Sequence, residues 1–235
     1  MRNRKHIVCF LTLFCAVIVA RAAFTIEPAL VRMNMAAGEK VVLADVVNTG
    51  KTPIAVALTV FERELDLDGE LTKSKPVPSK DFTIYPSEII LYSGKKASVQ
   101  LMYKGKERIA ADKTYTLFST EVLMPIEEEG VEGVAVNIPM IVSYYTVISL
   151  ETGKEGKLTF VSSKMIENNM VELIVENRSS GRVSARGLAI KTDTDIIKGL
   201  TGTKNSVMPG QKRRFTFKYM RPLTSKEVKF IYVPD

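Results

Sequence analysis

The side chains that do most enzyme chemistry sit at one end of this 235-residue chain. Its two cysteines, Cys9 and Cys15, and its single histidine, His6, all fall within the first 22 residues. That segment also carries Arg2, Arg4 and Lys5, an apolar run over residues 7–20, and the small-x-small tripeptide Ala20-Arg21-Ala22. A basic start, an apolar middle and a small-residue exit make a secretory signal peptide, with cleavage expected after Ala22. The run falls short of the roughly 20 residues that a bilayer-spanning helix requires, so no membrane insertion of the mature chain is expected. Cys15 follows Phe14 rather than the small residue a lipid-anchoring site needs, so a lipid anchor is not expected.

With residues 1–22 removed, no Cys, His or Trp remains. Thiol nucleophiles, imidazole bases, disulfides and Cys/His metal sites drop out together. No GxxxxGK[ST] phosphate loop is present. Paired carboxylates are the remaining catalytic option, at Asp66 and Asp68 and at Glu127, Glu128 and Glu129. Both clusters lie in polar, turn-like segments where nothing would desolvate a carboxyl and raise its pKa. The expectation is a protein with no catalytic residues, no metal and no cofactor. The formal net charge of +7 is also misleading, because Arg2, Arg4, Lys5 and Arg21 leave with the leader. No basic run with interleaved aromatics is left, so nucleic acid is not an expected partner.

What remains capable of directed chemistry is backbone hydrogen bonding along a strand, and residues 134–150, VAVNIPMIVSYYTVISL, offer it. Val134, Val136 and Ile138 alternate with Ala135 and Asn137, as a strand with one apolar face requires. Pro139 has no N–H for a ladder, which places the first half of this strand at a sheet edge. Residues 140–148 are apolar on both faces and read as buried. A bare apolar edge is normally blunted by Lys, Glu or a bulge. Here the nearest charges are outside it, in residues 127–129 and Glu132. The same edge gives a route to self-association. The plainer reading is the last strand of a sandwich whose valines face its own core.

The elements that hold this strand are also strands. Short apolar runs separated by turn residues are expected at 25–35, 40–48, 55–65, 88–91, 97–103 and 114–123, with no helical period sustained for three turns. Strands at this spacing make an all-β, immunoglobulin-like sandwich. The pattern then repeats. Asn48, after Val46 and Val47, has a counterpart in Asn177, after Val175 and Glu176; Ser93-Gly94-Lys95-Lys96 has one in Pro209-Gly210-Gln211-Lys212. The longer spacing in the first copy is taken up by a polar insertion at 66–80, read as an added hairpin or loop. Two immunoglobulin-like β-sandwich domains are expected, at 23–150 and 151–235, joined by the short polar linker 151–156. So short a linker sets the domains at an angle with a cleft between them, where ligands usually sit.

Several pieces, in this order, resemble a known family. They are Arg32 six residues before Gly38-Glu39-Lys40, then Val46-Val47-Asn48; Leu91-Tyr92-Ser93-Gly94 before Val99-Gln100-Leu101; and Tyr115-Thr116-Leu117-Phe118 leading to Met124-Pro125 and an acidic loop. In the second domain they are Val175-Glu176-Asn177 and Val207-Met208-Pro209-Gly210. Over nearly the whole mature chain the sequence resembles the periplasmic chaperones of the chaperone–usher pilus pathway.

The resemblance implies a periplasmic chaperone that binds pilus subunits by donor-strand complementation and delivers them to an outer-membrane usher. Val134, Val136, Ile138 and Met140 become the inserted face, and main-chain bonds supply affinity. Each buried Val or Ile would contribute roughly 1.5–3 kcal/mol. In the family, an Arg of the first strand and a Lys of the last bind the subunit's C-terminal carboxylate. Arg32 matches the Arg, and a guanidinium suits a carboxylate. Counting back from Tyr144-Tyr145, the Lys position holds Val142, and residues 134–150 contain no basic residue. Lys104 is one replacement; backbone N–H groups beside Arg32, or a different anchoring altogether, are the others. The competing expectation is a secreted tandem immunoglobulin-like envelope or surface protein with a structural or adhesive role, and fold alone does not separate the two. A strand donor must leave its edge open, so Val136→Glu with Ile138→Glu should leave the protein folded and abolish capture of a pilus subunit. Undiminished recovery of subunit by that double mutant would remove the strand-donor reading.

Overall fold

Pro28 divides the first apolar stretch into two strands that belong to different sheets. The computed structural model describes residues 24–72, 77–123, 141–167, 170–191, 196–198, 205–218 and 229–232. The expected signal peptide lies outside them, and among the described residues no helix is long and apolar enough to cross a membrane. The first sandwich contains β1 (Phe24–Glu27), β2 (Leu30–Asn34), β3 (Val41–Asn48), β4 (Ile54–Glu62), β5 (Phe82–Tyr85), β6 (Glu88–Leu91), β7 (Lys96–Tyr103), β8 (Lys113–Val122) and β9 (Ser143–Glu151). The second contains β10 (Leu158–Glu167), β11 (Met170–Asn177), β12 (Val183–Ser184), β13 (Leu188–Lys191), β14 (Ile196–Lys198), β15 (Ser206–Val207), β16 (Lys212–Lys218) and β17 (Lys229–Tyr232).

In the first sandwich a four-stranded sheet, ordered β1-β3-β7-β5, faces a five-stranded sheet, ordered β2-β9-β8-β4-β6. β1 pairs antiparallel with β3, whereas β2 crosses over and pairs parallel with β9. One strand over 25–35 was the expectation; a residue without an N–H cannot carry the ladder through position 28, and the chain changes sheets there. β5, which the alternation did not single out, is short and pairs with β7. Ile54, Val56, Leu58 and Val60 of β4 and Val99, Leu101 and Tyr103 of β7 are buried between the sheets. Each such side chain contributes roughly 1.5–3 kcal/mol relative to exposure. The second sandwich has its own core, built on Val171, Leu173 and Val175 of β11 and Phe215 and Phe217 of β16.

The internal repeat is the same hydrogen-bonding device used twice. Asn48 and Asn177 are both fully buried at strand ends. Asn48 donates through Nδ2 to the Thr52 and Leu91 carbonyls and accepts from the Gly50 N–H at Oδ1. Asn177 donates to the Gly181 and Val207 carbonyls and accepts from the Ser179 N–H. In each copy the asparagine carbonyl accepts from a glycine N–H, Gly94 or Gly210, whose φ lies near +70°. A side chain with two donors and an acceptor fixes two loops to one strand end, and glycine supplies the left-handed turn.

The two sandwiches are pinned together beside the segment 152–157, which joins β9 to β10. Asp112, only 9% exposed, accepts from the Thr152 N–H and hydroxyl at 2.7 and 2.6 Å and from the Arg182 N–H at 2.8 Å. The Asp112 N–H donates to the Ser180 carbonyl. Gly181 is packed so tightly on the Lys154 carbonyl that no side chain fits there. Hydrogen bonds to a buried carboxylate are each worth about 1.5–3 kcal/mol, and a donor stranded by its loss is costly. Asp112→Ala should therefore lower stability by about 3 kcal/mol, read from denaturant midpoints, and open the 152–157 segment to limited proteolysis. An unchanged midpoint and cleavage pattern would show that the junction is held by other contacts.

Candidate functional site

β9 is the strand about which the site is built, because its two edges are covered unequally. β8 pairs with it from Ser143 to Leu150, but β2 covers the other edge only from Val147 onward. From Ser143 to Thr146 that edge has no partner strand among the described residues. Val142 and Tyr144 turn inward onto the core, with Tyr144 edge-on to Phe24 at 4.9 Å, so the segment is anchored although its edge is open. Val134, Val136, Ile138 and Met140 precede this edge and lie outside the described residues.

The face of the five-stranded sheet that turns away from the core carries a row of aromatics. Tyr145 lies 5.1 Å from Phe118, and Phe118 lies 5.9 Å from Phe61. Beyond this row, at the end of the sheet where β2 begins, a cleft of roughly 280 Å³ opens between the two sandwiches. Leu30, Leu65, Val147 and Met208 form its apolar walls, and Arg63, Arg182 and Arg213 line it with charge.

The three guanidiniums are not equivalent. Arg213, 2% exposed, donates to the Ser206 and Asp68 carbonyls. Burial pushes its pKa down, opposed by the nearby Asp66, Asp68 and Glu70 carboxylates. Arg63 donates to the Thr116 hydroxyl at 3.1 Å, and burial followed by the charge of Arg213 lowers its pKa too. Arg182 lies at the rim, and its Nη2 approaches Glu151 Oε1 at 3.6 Å. The same oxygen receives the Ser149 hydroxyl at 3.2 Å and stands 3.7 Å from Arg32 Nε.

Arg32 does not line the cleft but stands beside it, on the exposed face of β2, paired in register with Ser149 and sharing Glu151 with Arg182. Its side chain is 56% exposed. Lys104 is elsewhere: it follows β7 in the opposite sheet, its described bond is from its N–H to the Asp81 carbonyl, and no contact joins it to Arg32. The residues across from and beside Arg32 on β9 are Val147, Ser149 and Glu151. The cation brought near Arg32 comes from the second sandwich, as Arg182, which nothing in the local sequence singles out. Arg213 carries a signal that alternation could have found, since it shares the inward period of Phe215 and Phe217. Among the described residues no cluster of three or more His, Cys, Asp or Glu could hold a metal ion.

No protein-family model matches the sequence, and no curated protein matches it. Solved structures do share its fold. The class 5 fimbriae chaperone CfaA superposes with a TM-score of 0.55 at 12% identity, covering 90% of this chain and 99% of that one. The Escherichia coli chaperone DraB gives 0.54 at 14% identity, over 88% and 87% of the two chains. A chain of the CsuC–CsuE chaperone–tip adhesion subunit pre-assembly complex, from the archaic chaperone–usher Csu pili of Acinetobacter baumannii, gives 0.51 at 16% identity, over 83% and 90%. Two β-sandwiches in tandem, joined by a short segment, are the architecture this chain has in common with those chaperones.

Proposed function

We propose that this protein is a periplasmic chaperone for pilus subunits, holding an incomplete subunit by lending it a strand and passing it to an outer-membrane usher. The observation that carries the reading is the edge of β9 from Ser143 to Thr146, which has no partner strand among the described residues. It continues in sequence from the alternating residues Val134, Val136, Ile138 and Met140. A strand added there would take main-chain hydrogen bonds from β9 and lay side chains beside Tyr145, the member of the aromatic row that β9 carries. Support also comes from the shared fold of CfaA and DraB and from the Csu complex, in which a chaperone is paired with a tip subunit. Secretion by the leader at 1–22 and the division near Glu151 into a strand-lending domain and a smaller second domain belong to the same reading.

Capture is the direct test. Tagged protein recovered from the periplasm of its native host should carry a stoichiometric small protein, released by unfolding and not by salt, whose mass identifies the client. Recovery of the protein alone while pilus genes are expressed would favour a structural or adhesive envelope role instead. In the same assay Arg32→Ala should weaken subunit binding and lower stability by no more than about 1 kcal/mol, as expected of an exposed side chain. A cooperative loss of folding would make Arg32 structural.

A further inference from the structure

β10 lies at an edge of the second sandwich, with β11 on one side and no partner strand on the other among the described residues. It holds four large apolar side chains in solvent: Phe160, Val161, Met165 and Ile166, exposed at 51%, 40%, 43% and 46%. Their neighbours across the ladder, Val175 opposite Phe160 and Val171 opposite Met165, are each only 2% exposed. The cover over β11 therefore stops at β10, where Phe160 is held at the margin by stacking on Phe230 at 5.3 Å. Four such residues on one edge strand mark an interaction site rather than scattered surface.

Two features of the strand say which partner fits. The first is a pair of bulges: the register shifts between Phe160 and Ser162 and again between Met165 and Glu167, so Val161 and Ile166 are the added residues. A bulge interrupts the ladder and is one of the devices by which an edge refuses an arbitrary strand, so contact here comes from side chains. The second is symmetry. Phe160 and Val161 stand three and two residues before Ser163, Met165 and Ile166 stand two and three after it, and polar Ser162 and Lys164 lie between. A two-fold axis at Ser163 sets an identical antiparallel strand so that Phe160 meets Ile166, Val161 meets Met165 and Ser162 meets Lys164. A slip of one residue either way puts Met165 against Ser162 or Val161 against Lys164. Charge agrees with the symmetric register: Lys164 does not face its own copy, and Glu167, opposite Thr159, lies diagonal to Lys157 of the other chain.

From this we infer that the strip on β10 is a homodimer contact, at which two copies of the chain associate through their second domains about a two-fold axis at Ser163. A self-complementary patch of this kind is what an isologous contact requires. One strand is small beside the roughly 800 Å² per partner that a stable interface buries, so the association is weak and depends on concentration. It does not use β9, which belongs to the first sandwich, and is separate from any self-association through residues 134–138.

The test is sedimentation of the full mature chain, which should shift from monomer toward dimer as its concentration is raised. Val161→Glu with Met165→Glu sets carboxylates against each other across the axis and should weaken association by about tenfold. Thermal stability should be unchanged, because both side chains are exposed. Val161→Lys with Met165→Glu sets opposite charges at the same two positions and should keep the dimer. Ser163→Cys, in a mature chain that otherwise has no cysteine, should cross-link to a covalent dimer on mild oxidation, whereas Thr159→Cys, which meets Glu167 across the axis, should not. Val136→Glu with Ile138→Glu should leave association intact. A chain that stays monomeric at every concentration, a dimer undiminished by the paired glutamates, equal loss in both charge variants or equal cross-linking of both cysteine variants would overturn the inference. Loss of association in the Val136→Glu, Ile138→Glu protein would overturn it as well, by placing the contact on the first domain.

Discussion

One buried carboxylate fixes the arrangement on which everything else depends. Asp112 precedes β8 in the first sandwich and gathers donors from the connecting segment, through Thr152, and from the second sandwich, through Arg182. Because Thr152 and Arg182 are held by the same side chain, the connecting segment cannot swing without stranding buried donors. Close packing of Gly181 on Lys154 and of Gly156 on Val183 removes the remaining slack. A short linker could have been a hinge; these contacts make it a joint of fixed geometry.

A second attachment lies on the other side of the cleft. The turn at 66–70, closed by the Asp66 N–H to the Glu70 carbonyl, reaches from the first sandwich to β16. There the Leu67 carbonyl accepts from the Arg214 N–H, and the Asp68 carbonyl accepts from Arg213. Arg214 also stands 3.6 Å from the Asp68 carboxylate. Two attachments at separated points define an orientation where one would only limit it. The cost of burying Arg213 is offset by the turn's own acidic residues and carbonyls, so the insertion and the buried arginine serve as a matched pair.

These attachments explain which parts of the site the sequence could disclose. Alternation and turn residues disclosed the sandwiches, and the repeated asparagines disclosed the duplication, because each is a local pattern with a local cause. Asn48 and Asn177 show it best: the same side chain at the same strand end makes the same bonds. The sheet change at Pro28 was written locally as well, in a residue that cannot donate, but the alternation on either side of it read as one strand. Arg182 and Glu151 could not be read this way. Their meeting depends on the joint at Asp112, 70 positions before Arg182 in the chain, and no short-range pattern records a contact of that separation. Arg32 was legible only through its spacing to neighbouring motifs, and the arginine that shares Glu151 with it comes from the second sandwich and not from β9.

The unequal covering of β9 also accounts for how such an edge can be tolerated. An exposed strand edge invites any other strand, and proteins usually blunt it with charge or a bulge. β9 carries neither over Ser143 to Thr146, and its inward side chains, Tyr144 among them, hold it flat against the core. At the end of the edge β2 blocks further growth, and Arg32 and Arg182 stand beside Glu151. Main-chain groups along a strand edge accept many sequences, because a ladder is bonded through the backbone and not through side chains. The edge belongs to the first sandwich and Arg182 to the second, and the joint at Asp112 holds the two in register.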